Sequence, residues 1–274
     1  MNIRLFAVDL DGTLVDRSGR IPEENRRAVA AALAAGAEVL IITGRSWRST
    51  RPVYADLGLT GPAICYLGAM VVADGSGRVL RHRPLEAPAW GQLRRLALAE
   101  GLAVTAVTAA GRAGECLAAD VAYATGRAPD FAAWDAWNPY TEIDPGLRRA
   151  VQPPTLAAVY GDRAVGRVLA AFPGGLPASQ LDLTDRVAGE KVLHVWHAAV
   201  DKGLALAAHC RTRGIPPAAV MALGDAPMDV PMLRFAGVGV ATPDGHPSVQ
   251  AAADWVAAPA AAIARALENR GWCC

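Results

Sequence analysis

The chain has 274 residues, of which 53% are hydrophobic and 19% charged, and its formal net charge at pH 7 is +1. This composition is typical of a compact folded protein, and it argues against a disordered chain or one that coats nucleic acid. The length predicts one large domain or two modest ones, and we expect two. No apolar run approaches the ~20 residues that span a bilayer, and the first residues lack an export-signal pattern. We therefore expect a cytoplasmic protein without a membrane partner.

Strand-length apolar runs alternate with helical stretches at both ends of the chain. The strands are predicted at residues 3–10, 37–42, 63–66, 219–223 and 238–241. Helices are predicted from Pro22 to Gly36 and again from Asp201, and residues 71–80 predict a hairpin. This alternation predicts an α/β fold, a doubly wound parallel sheet of Rossmann-like type with helices on both faces.

The middle of the chain has a different sequence pattern, with short helical segments, strand-like runs and a segment rich in Trp and Pro. We assign residues 82–186 to an α+β domain inserted into a core formed by residues 1–81 and 187–274. Trp134 and Trp137 are expected to fill the core of this inserted domain rather than to stack on a ligand ring.

The cysteines and one histidine pair do not predict a metal site. The five cysteines are odd in number and show no CxxC spacing, so we expect neither a disulfide framework nor a zinc site. Cys273 and Cys274 are interpreted as free thiols at a frayed end rather than as a lipidation signal. His194 and His197 flank Val195 and Trp196 in a strand-like segment, and we expect both histidines to take part in sheet-face packing.

Two carboxylates stand at the end of the first predicted strand. Residues 9–13 (DLDGT) follow the apolar run 5–8, so Asp9 and Asp11 emerge where the strand ends and a glycine turn begins. In doubly wound sheets, ligands bind at the carboxyl ends of the strands. Two like charges beside a sheet core are costly unless a cation or a substrate compensates them. The pair therefore indicates a functional site rather than a solvated strand end.

Three further polar sites lie later in the chain. Residues 43–45 (TGR) follow the second strand, Lys202 opens the helix that begins near Asp201, and residues 224–229 (GDAPMD) follow the strand 219–223. Alone, Thr-Gly at a strand end is more often turn chemistry, and a single lysine is usually a solvated surface residue. Carboxylate oxygens, as in residues 224–229, suit a small divalent cation.

In combination, these sites resemble the motifs of the haloacid dehalogenase superfamily of phosphotransferases. Residues 9–13 have the DxDGT form of its first motif, and residues 224–229 have the GDxxxD form of its magnesium motif. Thr43-Gly44-Arg45 resembles the second motif and Lys202 the third. The inserted domain lies between these two motifs, as in the subclass often called Cof-like. This similarity implies that the inserted domain is a C2-type cap that closes over the active site and contacts the leaving group.

The resemblance also implies a role for each site residue. Asp9 would be the nucleophile that accepts the phosphoryl group, and Asp11 the general acid/base. Thr43 and Gly44 would bind the phosphate, and Lys202 would neutralise its charge. The ligands implied for Mg²⁺ are Asp9, the backbone carbonyl of Asp11, Asp225 and Asp229.

Three segments depart from the pattern of the subclass. Met228 stands where most relatives with this cap have Asn, and we expect it to weaken the support of the metal. Leu67 replaces the Asn of Asn-Gly-Ala, and Pro243-Asp244 replaces Gly-Asn. Because the catalytic residues of all four sites are present, we expect the departures to modify the activity rather than abolish it.

The sequence therefore predicts a magnesium-dependent phosphatase that hydrolyses a small phosphorylated metabolite through an aspartyl-phosphate on Asp9. The resemblance implies sugar phosphates or phosphorylated cofactors as substrate classes. Two alternatives stay open: a phosphomutase acting on sugar phosphates, and a receiver-like phospho-acceptor without catalysis. No nucleic-acid partner is expected, and the sequence does not predict the oligomeric state.

Overall fold

The computed structural model describes residues 2–16, 18–109, 120–125, 141–177, 179–187 and 190–268. The interpretations of Trp134, Trp137, Cys273 and Cys274 fall outside these residues. The chain divides into two compact units, the first formed by Met1–Arg78 and Asp201–Cys274 and the second by Val79–Val200.

The secondary structure alternates between strands and helices. In chain order, the described strands are β1 (Leu5–Val8), β2 (Glu38–Ile42), β3 (Ala63–Cys65), β4 (Met70–Val72), β5 (Val79–His82), β6 (Val104–Ala109), β7 (Asp120–Ala124), β8 (Thr141–Ile143), β9 (Leu156–Tyr160), β10 (Ser179–Val187), β11 (Glu190–His197), β12 (Val220–Gly224), β13 (Val238–Ala241) and β14 (Trp255–Val256). The described helices are α1 (Glu23–Ala34), α2 (Trp47–Asp56), α3 (Ala87–Glu100), α4 (Asp162–Ala171), α5 (Lys202–Arg213), α6 (Val230–Phe235), α7 (Pro247–Gln250) and α8 (Pro259–Glu268).

The first unit is built on a sheet in which the strands run in the order β14-β13-β12-β1-β2-β3-β4. Its strand pairs are parallel except for β3 and β4, which are antiparallel. The central strand β1 is a run of buried apolar residues, as expected for a strand covered on both faces. Leu5 lies opposite Val220 on one side and Glu38 on the other. The predicted α/β fold with a doubly wound sheet is confirmed.

The second unit contains a separate sheet with the order β10-β11-β9-β6-β7-β8. Its pairs are antiparallel except for β7 with β8. Trp90 on α3 is buried in the core of this unit, and its indole N–H donates to the carbonyl of Ala150 at 2.8 Å. His197 lies at the end of β11, with its Nε2 3.3 Å from Glu86 Oε1.

The end of the second unit differs from the domain boundary expected from the sequence. The sequence predicted that the core resumes at residue 187, whereas in the structure the second unit extends to Val200. The reason is that β11 pairs with β9 and β10 inside the second unit. In the described part of the chain, no helix combines the length and apolar character needed to cross a membrane.

Candidate active site

The predicted site residues of the first unit follow three adjacent strands. Asp9 comes directly after β1, Thr43 directly after β2, and Asp225 directly after β12. Because β1 pairs in parallel with both β2 and β12, the three side chains emerge at the same edge of the sheet. This edge, formed by the strand carboxyl ends, is where doubly wound sheets bind ligands.

Lys202 joins two carboxylates that are far from it in the sequence. Its ammonium donates to Asp9 Oδ1 at 2.6 Å and to Asp229 Oδ1 at 2.5 Å. All three side chains are buried. Lys202 is also the first residue of α5, where the positive end of the helix disfavours a cation. The two carboxylates are therefore what makes this position tolerable for a buried ammonium.

The charges of this cluster perturb one another strongly. Burial alone would lower the pKa of Lys202, but Asp229 and Asp9 outweigh it, so the pKa is raised and the ammonium stays charged. Burial raises the pKa of Asp9, Asp229 and Asp225 raise it further, and the Lys202 ammonium opposes them. A cation close to Asp9 would favour its ionised form, which is the form a nucleophile needs.

The loop after β12 holds the two later aspartates by backbone contacts. Asp229 Oδ2 accepts hydrogen bonds from the amides of Asp225 and Ala226, both at 2.9 Å. A Cβ at Gly224 would lie 2.4 Å from the Asp229 Cβ, so this close turn needs glycine. Met228, which stands in place of the usual Asn, is partly buried in the same turn.

Thr13 supports Asp225 from the first motif. Its hydroxyl donates to Asp225 Oδ1 at 2.9 Å. Gly12, with a φ of +78°, passes so close to Asp225 that a Cβ would lie 2.2 Å from Oδ2. The glycine and the threonine of the DxDGT segment therefore both shape the position of a carboxylate more than 200 residues away.

The three buried or half-buried aspartates form a group that fits a metal ion. One carboxylate oxygen each from Asp9, Asp225 and Asp229 lie within 4.8 Å of one another. Among the described residues, the Lys202 ammonium pairs with two of these three carboxylates, those of Asp9 and Asp229, so the group holds more acidic than basic side chains. Oxygen donors with an excess of negative charge are the set that a hard divalent cation such as Mg²⁺ prefers.

Thr43 is fully buried and fixed on three sides. Its amide donates to the carbonyl of Ile64 at 2.9 Å, its carbonyl accepts from the Leu67 amide at 3.0 Å, and its Oγ1 accepts from the Arg45 amide at 3.1 Å. The hydroxyl proton is the group that would reach a phosphate oxygen. At Gly44, the next residue, an added Cβ would lie 3.3 Å from Leu67 Cδ2.

The Asp11 carboxylate turns toward Arg45. Arg45 Nε donates to Asp11 Oδ2 at 2.8 Å and Nη2 donates to Oδ1 at 2.5 Å. The Arg45 side chain is 9% exposed and that of Asp11 49%. Sequence reasoning gave Arg45 no role beyond its place in the TGR segment, because the two residues are 34 positions apart and no local pattern links them.

Comparison with known proteins identifies the family. The sequence profile of the haloacid dehalogenase-like hydrolases matches residues 6–113 and 180–267, which is more than half of the chain. The chain belongs to this family. A relative named "Putative phosphatase in upp 3'region" from Metamycoplasma hominis is 49% identical over 69 residues, which cover 24% of this chain and 24% of that protein.

Two longer similarities extend over nearly the whole chain. A phosphoglycolate phosphatase from Methanoculleus marisnigri is 24% identical over 255 residues, covering 93% of this chain and 90% of that protein. The crystal structure of a haloacid dehalogenase-like hydrolase from Bacteroides thetaiotaomicron superposes with a TM-score of 0.79 at 20% identity, covering 96% of this chain and 99% of that chain. The structural similarity shows that the fold is shared.

In the present chain, a member of the haloacid dehalogenase-like hydrolases, an unusual backbone turn lies beside the site. Tyr66, Leu67 and Gly68 have φ values of +50°, +58° and +110°, a left-handed region that leucine and tyrosine rarely adopt. The Tyr66 amide donates to the carbonyl of Arg45 and the Leu67 amide to that of Thr43, both at 3.0 Å. A strained backbone beside a site persists only where the surrounding structure fixes it. The sequence indicated the replacement at Leu67 but not the strained turn.

Proposed function

We propose that this phosphatase of the haloacid dehalogenase-like family uses Mg²⁺ and Asp9 to remove phosphate from a small metabolite. The observation that carries the proposal is the convergence of Asp9, Asp225, Asp229 and Lys202 at one edge of the sheet. Lys202 contacts Asp9 and Asp229 at 2.6 and 2.5 Å, and oxygens of the three aspartates lie within 4.8 Å of one another.

The proposed metal ligands are those that the resemblance to the family implied. Asp9, the backbone carbonyl of Asp11, Asp225 and Asp229 would hold Mg²⁺. Of these, Asp229 already accepts bonds from Lys202 and from two backbone amides, so it also fixes the loop that carries Asp225. When bound, Mg²⁺ supplies positive charge that offsets the repulsion between an anionic nucleophile and an anionic phosphate.

In the first step, an oxygen of Asp9 attacks phosphorus in line with the leaving oxygen. The bond from Asp9 to phosphorus forms, the bond from phosphorus to the substrate oxygen breaks, and Asp11 gives a proton to the departing alkoxide. The Thr43 hydroxyl, the Gly44 amide and the Lys202 ammonium stabilise charge on the transferring oxygens.

In the second step, water attacks the phosphorus of the aspartyl-phosphate. Asp11, now ionised, takes a proton from this water, inorganic phosphate leaves, and the Asp9 carboxylate is restored. Lys202 holds Asp9 Oδ1 and so keeps the orientation of the carboxylate between cycles.

The proposed substrate is a small phosphorylated metabolite, either a sugar phosphate or a phosphorylated cofactor. The relative named phosphoglycolate phosphatase supports the small size of the substrate. We assign the choice among such substrates to the inserted domain, which we propose is the cap of the Cof-like subclass. A cytoplasmic location stays a prediction from the sequence.

The test is release of inorganic phosphate from a panel of phosphorylated metabolites, with Mg²⁺ and with EDTA. We expect Asp9→Asn to lose roughly 10³-fold or more of the Mg²⁺-dependent activity, as for other covalent nucleophiles. Asp74→Asn is the matched control, since Asp74 lies in a turn of the first unit and its carboxylate accepts a hydrogen bond from the nearby Ser76 amide at 2.8 Å. If Asp9→Asn kept full activity, the assignment of the nucleophile would be wrong.

The same assay separates the alternatives. A phosphomutase would convert a sugar phosphate to an isomer with little free phosphate. A receiver-like protein would accumulate a long-lived phosphoryl group on Asp9 without turnover. Release of inorganic phosphate over many turnovers is the outcome that supports the phosphatase.

A further inference from the structure

We propose that Arg45 is a positioning residue that sets the orientation of the Asp11 carboxylate. This inference rests on the proposed function, in which Asp11 is the general acid/base. Arg45 would act through Asp11 rather than through the phosphate.

Arg45 and Asp11 form a forked pair. Two N–H groups of one guanidinium, Nε and Nη2, each donate to a different oxygen of Asp11, at 2.8 and 2.5 Å. Such a forked pair fixes the plane of the carboxylate as well as its distance, which a single hydrogen bond does not. A proton-transfer group gains from a fixed plane, since transfer requires a lone pair aimed at the reacting oxygen.

The two partners differ in burial. The Arg45 side chain is 9% exposed, whereas that of Asp11 is 49% exposed. An exposed carboxylate on a turn samples several rotamers, and a buried guanidinium does not. Arg45 is therefore the fixed partner, and Asp11 is the partner whose orientation is set.

The backbone of Arg45 is itself held in place. Its amide donates to Thr43 Oγ1 at 3.1 Å, and its carbonyl accepts from the Tyr66 amide at 3.0 Å. That amide belongs to the left-handed turn formed by Tyr66, Leu67 and Gly68. The strained turn thus anchors Arg45, and Arg45 in turn orients Asp11.

The experiment exploits the leaving group. An alkyl phosphate needs a proton on its departing oxygen, whereas 4-nitrophenyl phosphate releases a stable anion and needs little general-acid help. The full-length wild type, Arg45→Ala, Asp11→Asn and the double variant are compared by kcat/KM. The esters are 4-nitrophenyl phosphate and the alkyl phosphate of the panel that the wild type hydrolyses fastest.

We expect Arg45→Ala to lower kcat/KM for the alkyl phosphate about 10- to 100-fold, and for the 4-nitrophenyl ester roughly threefold or less. In the Asp11→Asn background, the same substitution should cost nothing further, because the residue it orients is gone. Equal losses on both esters that add to the Asp11→Asn loss would overturn the inference and point to direct phosphate binding.

Two further variants keep the test decisive. Arg45→Lys keeps the charge without the fork, so its loss should be close to that of Arg45→Ala; full activity in Arg45→Lys would overturn the inference. Arg26→Ala is the matched control. Arg26 on α1 also pairs with an aspartate, Asp56, but this pair is exposed and contains none of the proposed site residues. It should keep wild-type kcat/KM on both esters.

Failure of the inference differs from failure of the proposed function. If the wild type with Mg²⁺ released no phosphate from 4-nitrophenyl phosphate or from any ester of the panel, the phosphatase proposal itself would fall. Wild-type hydrolysis that Asp9→Asn abolishes, together with additive losses at Arg45 and Asp11, would refute only the positioning role.

Discussion

Substitution of Gly12 by alanine should destabilise the first unit and loosen the proposed metal site. Gly12 has a φ of +78°, and the added Cβ would lie 2.2 Å from Asp225 Oδ2 and 2.7 Å from its Cγ. The left-handed conformation costs about 1 kcal/mol for a residue with a Cβ. Displacing a packed neighbour costs about 1–3 kcal/mol more. We therefore expect the free energy of unfolding to fall by about 2–4 kcal/mol.

Gly36→Ala isolates the cost of conformation alone. Gly36 has a similar φ of +73°, but a Cβ there would meet no heavy atom within 4 Å. Urea unfolding in EDTA should show a loss of about 1 kcal/mol for this control. A Mg²⁺ titration of phosphatase activity should give weaker binding for Gly12→Ala only, because only that methyl group displaces Asp225. Equal stability of the two variants, or an unchanged Mg²⁺ titration, would refute the reasoning.

Three further predictions concern buried or half-buried polar groups. Lys202→Met leaves the facing carboxylates without their counter-ion, so the free energy of unfolding in EDTA should fall by about 3–5 kcal/mol. Mg²⁺ should restore part of this loss, and wild-type stability of the variant in EDTA would contradict the prediction. Burial alone would raise the pKa of Glu38, but the hydrogen bond and charge of His209, helped by Arg213, hold that pKa below its ordinary value. Ionised Glu38 thus stabilises the fold at neutral pH, and Glu38→Gln should lower urea stability there, with the gap to wild type closing below about pH 4; a gap that widened in acid would oppose this. Asn25 is buried and donates to the carbonyls of residues 13 and 14 at 3.4 and 3.2 Å, so Asn25→Leu should cost about 1–3 kcal/mol by the same measurement, and a neutral effect would count against these bonds.

The sheet and the placement of the acidic residues were accessible to sequence reasoning. The strands of a parallel sheet are covered on both faces, so they show as continuous apolar runs such as residues 5–8. The polar residues that interrupt these runs, Asp9, Thr43 and Asp225, mark the strand ends directly. Pairing of β1 with both β2 and β12 then places them side by side.

The features that the sequence could not predict depend on contacts between distant segments. The bidentate pair of Arg45 and Asp11 has no local signature. The turn at Tyr66 and Leu67 opposes local propensity, since neither residue favours positive φ, and it is held by hydrogen bonds to the segment after β2. In β11, apolar and polar side chains would alternate in the same way in either sheet, so the sequence did not show that this strand belongs to the second unit, where it pairs with β9.

The position of β1 has a consequence for synthesis of the chain on the ribosome. One side of β1 pairs with β2, which follows soon after, but the other side pairs with β12, where Leu5 meets Val220. Until that late segment has been translated, the nascent chain carries an open, apolar strand edge, a surface prone to association with other chains. The second unit, whose strands are continuous in the chain, is complete before the first unit can close.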